Sequence, residues 1–143
     1  MKGIKYRFWT FLLAAGCSLA PAVAQQKFRV MEYNVENLFD CEHDSLKNDY
    51  EFLPDNPKGW SLPRFYDKLN KIGKVILAAG EDQVPDLVGL CEVENEHCVQ
   101  QLVSNSPLRE AGYQYAMTES PDERGIDVVL LYQPETFRHL GTQ

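Results

Sequence analysis

Residues 28–40, FRVMEYNVENLFD, combine the pattern of a buried strand with a polar tip. Apolar and aromatic side chains fall on both faces of the segment, which predicts a central strand of a sheet. Where the strand should end, carboxylates and amides accumulate. We interpret this tip as a candidate functional site. Its polar residues are Glu32, Asn34, Glu36, Asn37 and Asp40.

A long loop and an amphipathic helix follow this strand. Residues 41–60 are polar, contain two prolines and show no sustained period, which indicates a loop. Ser61 is a candidate helix cap, and Gly80 ends the helical pattern. The apolar residues that define the buried face of the helix are Phe65, Leu69, Ile72, Ile76 and Ala79.

The second strand is DLVGLCEV, residues 86–93, and it also ends in an acid, Glu92. A strand, a helix and a strand in succession predict a parallel pair. In such sheets ligands bind beyond the carboxyl ends of the strands. We therefore expect Asn34 and Glu92 to approach each other in space.

The rest of the chain predicts further α and β elements. Asn95 is a candidate cap for a short helix, while residues 113–118 and IDVVLLY, residues 126–132, indicate an antiparallel pair of strands. Residues 137–140 could open another strand. The predicted fold class is α/β.

The amino terminus has the features of a secretory signal peptide. Residues 1–24 comprise a short cationic start, a short apolar run and the small residues AVA before Gln25. The apolar run is too short for a spanning helix, which needs roughly 20 apolar residues. This predicts a secreted or periplasmic protein with one domain in residues 25–143. LAAGC at residues 13–17 leaves an alternative, in which a lipid on Cys17 tethers the protein to a membrane.

Charge and cysteine content exclude several classes of protein. The formal charge is −7, and without residues 1–24 it is −10, from 11 basic and 21 acidic residues. Such a chain opposes nonspecific binding to nucleic acid or anionic lipid, so phosphate chemistry would need bound cations. The remaining cysteines are an odd set without zinc-site spacing, and a bridge between Cys91 and Cys98 stays open. These cysteines are Cys41, Cys91 and Cys98.

Glu92 is the strongest candidate metal ligand. It follows GLC on a strand that we expect to be covered on both faces, and a buried carboxylate must be paired or must bind a metal. Residues 86–97 contain no lysine or arginine that could pair with it. Carboxylate and amide oxygens suit Mg²⁺, Mn²⁺ or Ca²⁺ rather than zinc.

The chain contains three motifs in this order: FRVMEYNVENLFD, PDLVGLCEVEN and RGIDVVLLY. Together they resemble the start of the endonuclease/exonuclease/phosphatase family, which has the DNase I-like fold. The resemblance runs from about Phe28 to the chain end. It implies the amino-terminal half of an α/β sandwich, with two packed sheets and outer helices. It also implies a metal-dependent phosphoester hydrolase of the nuclease, phosphodiesterase or phosphatase type.

The resemblance assigns roles to individual residues. Glu92 matches the glutamate that binds the divalent cation, and Asn34 matches the asparagine that helps to orient the metal site and substrate. Glu36 stands where some relatives place a second acid near the metal. Arg124 stands where relatives place an arginine that contacts phosphate. Asp127 is either an outer partner of this site or an ordinary strand residue.

The resemblance is incomplete in a way that bears on activity. The GDFN-type turn and the terminal aspartate and histidine pair of the family do not occur in this sequence, and none of its histidines lies in the required motif. The general base is therefore expected beyond Gln143, and the isolated chain is expected to be inactive. The substrate could be a nucleic acid, a phospholipid or a small phosphoester, and no stable protein partner is predicted.

Two alternatives from other classes remain at this stage. One is a secreted interaction module without catalysis. The other is a calcium-binding module, because acidic and amide residues follow the spacing of a twelve-residue calcium loop, although Ser45 replaces the expected glycine. The residues with this spacing are Asp40, Glu42, Asp44, Leu46, Asn48 and Glu51.

Overall fold

The computed structural model describes residues 27–142. The predicted signal peptide, residues 1–24, and Cys17 lie outside the described residues. None of the helices in residues 27–142 combines the length and the apolar composition that crossing a bilayer requires.

Four strands form one mixed sheet. Strand β1 spans Val30–Leu38, β2 spans Leu87–Val93, β3 spans Gln114–Met117 and β4 spans Asp127–Tyr132. Their order in the sheet is β1-β2-β4-β3. Strands β1 and β2 run parallel, while β4 is antiparallel to both β2 and β3. The predicted parallel pair and the predicted antiparallel pair are both confirmed.

In the described part of the chain, two α-helices lie at the predicted places. Helix α1 spans Leu62–Ala79 and helix α2 spans Glu96–Asn105, with short 3₁₀ turns at Tyr50–Phe52 and Pro107–Glu110. The side chain of Asn95 caps α2 by accepting a hydrogen bond of 2.9 Å from the Cys98 amide. Ser61 occupies the predicted N-cap position of α1, but its side chain makes no capping hydrogen bond.

The core lies between the helices and one face of the sheet. The predicted face of α1 is buried as far as Ile76, whereas Ala79 is exposed in the last turn. The buried sheet residues facing the helices alternate along the strands, as half-buried strands require. They include Val35, Val88, Leu90, Val129 and Leu131.

The other face of the sheet is open over much of its area in the described range. Val30 is 71%, Val128 49% and Leu130 42% exposed. The expectation that β2 is covered on both faces is therefore wrong for residues 27–142. Residues 137–140 form no strand either, and they contribute nothing to this sheet.

Candidate metal centre

Glu92 lies at an irregularity near the carboxyl end of β2. Cys91 pairs with Val128 and Val93 pairs with Asp127, so Glu92 is an extra residue relative to β4. Its φ is 65°, a left-handed conformation that costs a non-glycine residue about 1–2 kcal/mol. Such bulges redirect a side chain at the end of a strand, and residues strained in this way concentrate at functional sites.

A second irregularity lies directly beside it in β1. Asn34 pairs with Cys91 and Leu38 pairs with Val93, so three residues of β1 stand opposite the single residue Glu92. Two of these three, Glu36 and Asn37, have φ values of 54° and 62°. The β1 bulge, residues 35–37, therefore turns backbone groups of β1 toward the tip of β2.

Both carboxylate oxygens of Glu92 accept hydrogen bonds from β1. The side-chain amide of Asn34 donates to Oε1 at 2.8 Å, and the backbone amide of Asn37 donates to Oε2 at 3.0 Å. The prediction that Asn34 and Glu92 meet is confirmed. Because each carboxylate oxygen has two lone pairs, both oxygens keep acceptor capacity, and the side chain is only partly buried. Glu92 is therefore fixed in orientation and still able to bind a cation.

Of the other two predicted metal ligands, Asn34 lies just before the β1 bulge and Glu36 lies within it. The Asn34 side-chain oxygen accepts a hydrogen bond of 2.7 Å from the Glu36 amide, so Asn34 directs its nitrogen toward Glu92 and acts on that carboxylate as an orienting group. Glu36 is exposed, and its carboxylate makes no hydrogen bond with any described residue. Direct metal binding by Asn34 or by Glu36 stays a prediction.

Arg124 reaches the same edge of the sheet from the turn before β4. Its Nη1 donates to the Asn37 side-chain oxygen at 3.3 Å, and its Nε lies 3.6 Å from Asp122 Oδ1. The side chain is 48% exposed, and its Nη2 makes no hydrogen bond with a described residue. A guanidinium in this position can contact an anion bound beside Glu92.

Asp127 and the histidines do not join this arrangement. Asp127 Oδ1 accepts hydrogen bonds from the Ser120 amide at 2.5 Å and from the Thr118 hydroxyl at 3.3 Å, so this carboxylate holds the turn between β3 and β4. His43 pairs with Asp49, His97 is exposed on α2, and His139 contacts Thr142. In the described range, no histidine is hydrogen-bonded to Glu92 or to its partners.

The profile of the Endonuclease/Exonuclease/phosphatase family matches residues 29–143. The match covers the four strands, the two helices and all the site residues discussed above. The protein belongs to the endonuclease/exonuclease/phosphatase family. A mixed four-stranded sheet with two helices is the α/β arrangement expected of the amino-terminal part of such a domain. Searches of curated proteins and of solved structures found no significant match.

A buried acid pair lies beside the Glu92 site of this family member. Asp40 and Glu94 are each 8% exposed, and Glu94 Oε2 accepts a hydrogen bond of 2.8 Å from the Asp40 amide. Burial, reinforced by the charges of Asp40 and Asp49, raises the pKa of Glu94 to about 8. Glu94 is therefore largely protonated at neutral pH, which removes the cost of burying two adjacent charges.

With Cys98, this acid pair forms a cluster whose ligand atoms lie within 4.8 Å of one another. Its groups are already engaged, because Asp40 Oδ2 accepts from the Asn95 side chain at 2.9 Å and Oδ1 accepts from the Glu42 amide at 2.7 Å. Burial and the nearby Glu94 charge also raise the pKa of the Cys98 thiol, which disfavours the thiolate that a metal would need. The cluster is better explained as a protonated structural network than as the family's metal site.

A cavity of about 590 Å³ opens next to the acid pair, and Glu92 does not line it. Its walls carry more acidic than basic side chains, which opposes direct binding of a phosphate. The site therefore centres on the Glu92 edge and not on this cavity. The titratable residues that line the cavity are Asp44, Lys47, Glu94, Glu96, Tyr115, Glu119, Asp127 and His139.

The calcium-loop spacing does not produce a helix–loop–helix site. Strand β1 precedes the loop, and a 3₁₀ turn lies near its end. The carboxylates point into separate contacts: Asp40 binds Asn95, Asp44 caps the Leu46 amide at 2.9 Å, and Glu51 pairs with Lys58. The helix–loop–helix interpretation is therefore wrong, because the spacing places these groups in different networks.

The three cysteines in the described range are free thiols. Cys91 is the strand partner of Asn34 in the β1–β2 pairing, whereas Cys98 lies on the buried face of α2. The bridge between Cys91 and Cys98 that the sequence left open does not form in this structure.

Sequence reasoning missed two groups that the structure places at Glu92. One is the backbone amide of Asn37, which reaches Glu92 only because of the β1 bulge. The other is Lys68 of α1, whose ammonium contacts the same bulge. Residues 86–97 contain no cation for Glu92, but the helix packed beside β1 supplies one nearby. Lys68 lies next to the buried Leu69 in the sequence of α1, and no residue pattern there indicates this contact.

Proposed function

We propose that this protein is a divalent-metal-dependent phosphoester hydrolase of the nuclease, phosphodiesterase or phosphatase type, and that Glu92 is its principal metal ligand. Family membership supports hydrolysis of phosphoesters in general terms. The observation that carries the proposal is the fixed orientation of the Glu92 carboxylate by Asn34 and by the Asn37 amide.

The donor set at this edge fits a hard cation. Carboxylate oxygens of Glu92 and Glu36 and the amide oxygen of Asn37 lie on the two bulges, and in the described range no histidine is hydrogen-bonded to these residues. Oxygen ligands favour Mg²⁺, with Mn²⁺ or Ca²⁺ as substitutes. When bound, the cation would neutralise the scissile phosphate and stabilise the leaving oxygen.

Charge determines which of the protein's own groups can contact a phosphate. With a charge of −10 for residues 25–143, the chain repels phosphate over most of its surface. Arg124 stands beside Asn37 with part of its guanidinium free, so it can orient a phosphate at the Glu92 edge. Asn34 holds the carboxylate in one direction while the substrate binds.

Turnover requires a base that removes a proton from water. The three histidines in the described residues lie away from Glu92, so we propose that this group is supplied beyond Gln143. We expect residues 25–143 alone to bind the cation without turning over a substrate. Mg²⁺-dependent hydrolysis by a pure preparation of residues 25–143 would contradict this.

We also propose export by residues 1–24, with a secreted or periplasmic mature protein. Mass spectrometry of the protein purified from its own host would give a free amino terminus at Gln25 in that case. A mature chain that begins at a lipid-modified Cys17 would establish the membrane tether instead.

The experiment that tests the proposed function is a Mn²⁺ titration followed by electron paramagnetic resonance. We expect Glu92→Gln to weaken Mn²⁺ binding by roughly tenfold or more, because the carboxylate charge is lost. Glu32→Gln is the matched control, since Glu32 is exposed on the same face of β1 and loses the same charge. Equal affinities for all three proteins would refute Glu92 as the ligand.

Hydrolysis is measured separately, on the full-length gene product with DNA and with bis(p-nitrophenyl) phosphate, with and without a chelator. Chelator-sensitive activity that Glu92→Gln removes would support the hydrolase. Cation binding without hydrolysis of any phosphoester would favour the secreted interaction module.

A further inference from the structure

The β1 bulge cannot rest on local preference alone. Glu36 and Asn37 both have positive φ values, and only asparagine adopts this conformation with some ease. The bulge also leaves carbonyl groups outside the regular β1–β2 pairing, and such groups need partners. A tertiary contact must therefore hold the bulge in place.

Lys68 of α1 provides that contact. Its ammonium donates to the Glu36 carbonyl oxygen at 2.5 Å and to the Asn37 carbonyl oxygen at 2.9 Å. These are the two residues with positive φ in the bulge. One side chain thus satisfies both carbonyls and fixes the peptide group between them.

The ammonium itself is held by its surroundings. Its Nζ lies 5.5 Å from the centre of the Trp60 ring, a cation–π distance. The Trp60 Nε1 in turn donates to the Phe39 and Asp40 carbonyl oxygens at 3.0 and 2.9 Å, which anchors the ring to the chain just after β1. Partial burial lowers the pKa of Lys68, and the charges of Glu36 and Glu92 oppose that effect.

We propose that Lys68 is a positioning residue for the Glu92 site, holding the β1 bulge so that the Asn37 amide stays on the Glu92 carboxylate and thereby setting the cation affinity of that carboxylate. This inference rests on the proposed function, because it treats Glu92 as the metal ligand. Lys68 itself contacts backbone carbonyls and neither a cation nor a substrate.

Positioning and simple electrostatics predict opposite results at this residue. A lysine near a cation site repels the cation, so removing its charge should tighten binding if electrostatics alone mattered. If Lys68 positions Glu92, its removal loosens the bulge and weakens binding. Groups that orient a metal ligand through one intervening contact are commonly worth 10–100-fold in affinity.

The test compares Mn²⁺ affinity and the backbone amide signal of Asn37 in the wild type and four variants. Lys68→Met removes the contact, Lys68→Arg keeps a charged donor, Lys71→Met removes an exposed charge from the same helix, and Glu92→Gln reports on the ligand itself. Among residues 27–142, Lys71 pairs with Asp67, one helical turn away, and not with the Glu92 site, so it is a matched control. Circular dichroism and thermal unfolding verify that each variant is folded.

We expect Lys68→Met to bind Mn²⁺ roughly tenfold more weakly than the wild type. Lys68→Arg should lose less Mn²⁺ affinity than Lys68→Met, and Lys71→Met should bind Mn²⁺ as tightly as the wild type. The Asn37 amide signal should shift in Lys68→Met and not in Lys71→Met. If Lys68→Met does not fold, Lys68→Gln replaces it with the same criteria.

Unchanged or tighter Mn²⁺ binding by Lys68→Met, together with weaker binding by Glu92→Gln, would overturn the positioning role and leave the proposed function intact. Unchanged binding by Glu92→Gln would overturn the proposed function and the positioning role with it.

Discussion

The side-chain amide of Asn34 donates a hydrogen bond of 2.8 Å to the carboxylate of Glu92, although 58 positions separate the two residues in the chain. Each residue lies at a point where its strand departs from regular pairing. The contact is therefore a product of two parallel strands whose carboxyl ends meet at one edge. It fixes the orientation of the Glu92 carboxylate.

Asn34→Ala should weaken Mn²⁺ binding by roughly tenfold, because the Glu92 carboxylate loses the donor that fixes its direction. The free energy of unfolding should fall by about 1 kcal/mol, since two hydrogen bonds are lost at an exposed position. Asn105→Ala is the matched control, because Asn105 is exposed and bonds only within α2. Equal Mn²⁺ affinities for the two variants would contradict the orienting role.

Arg124→Met should weaken the binding of a nucleoside monophosphate in the presence of Mg²⁺ by about fivefold, the effect of losing one exposed ionic contact of about 1 kcal/mol. The loss should shrink at 1 M salt, because salt screens exposed charges. Mn²⁺ affinity should not change. Isothermal titration calorimetry measures the affinity for the nucleotide and the affinity for Mn²⁺. Arg109→Met is the control, since Arg109 is exposed and pairs with Glu110. A salt-independent loss would argue against a phosphate contact.

Glu94→Gln should flatten the pH dependence of stability. Burial raises the pKa of Glu94 from 4.5 to about 8, so between these values the folded state keeps a proton that the unfolded chain has released. The free energy of unfolding should then fall as pH rises from 5 to 9, by about 4 kcal/mol from this group. Glutamine does not titrate, so this decrease should be absent from the variant.

Urea unfolding at pH 5, 7 and 9 measures the effect. Glu123→Gln, which alters an exposed acid, should show the same change in the free energy of unfolding with pH as the wild type. If the free energy of unfolding changed with pH by the same amount in the wild type and in Glu94→Gln, Glu94 would be ionised in the folded protein at neutral pH.

Trp60→Phe should lower the free energy of unfolding by about 1–2 kcal/mol, because it leaves the Phe39 and Asp40 carbonyls without their donor. Phenylalanine keeps a six-membered aromatic ring and removes the fused pyrrole ring with its N–H, so the loss combines this donor with some packing. Tyr66→Phe removes an exposed hydroxyl that bonds Gln101, and its effect should stay below about 0.5 kcal/mol. Urea unfolding at pH 7 compares the two, and equal losses would count against the anchoring role of Trp60.

Much of the fold follows from the sequence because its signals are local. The buried face of α1 from Phe65 to Ile76 repeats at helical spacing, and the apolar runs of β2 and β4 have strand length. Asn95 caps α2 through its own neighbours. Ser61 occupies the predicted N-cap position of α1 without a side-chain bond, because a suitable residue type does not ensure that its side chain makes that bond.

The sequence by itself determined which strands run parallel, that Asn34 and Glu92 meet at their tips, and the family to which the chain belongs. Each depends on residue patterns within one segment or on the order of segments. Only the tertiary structure decided how Glu92 is held. Positive φ at Glu36 and Glu92 has no local residue signal, since glycine is the usual occupant, and it is stabilised by bonds between segments far apart in the chain. The contact from Lys68 to the bulge exists only after α1 packs beside β1, so no pattern within either segment could reveal it.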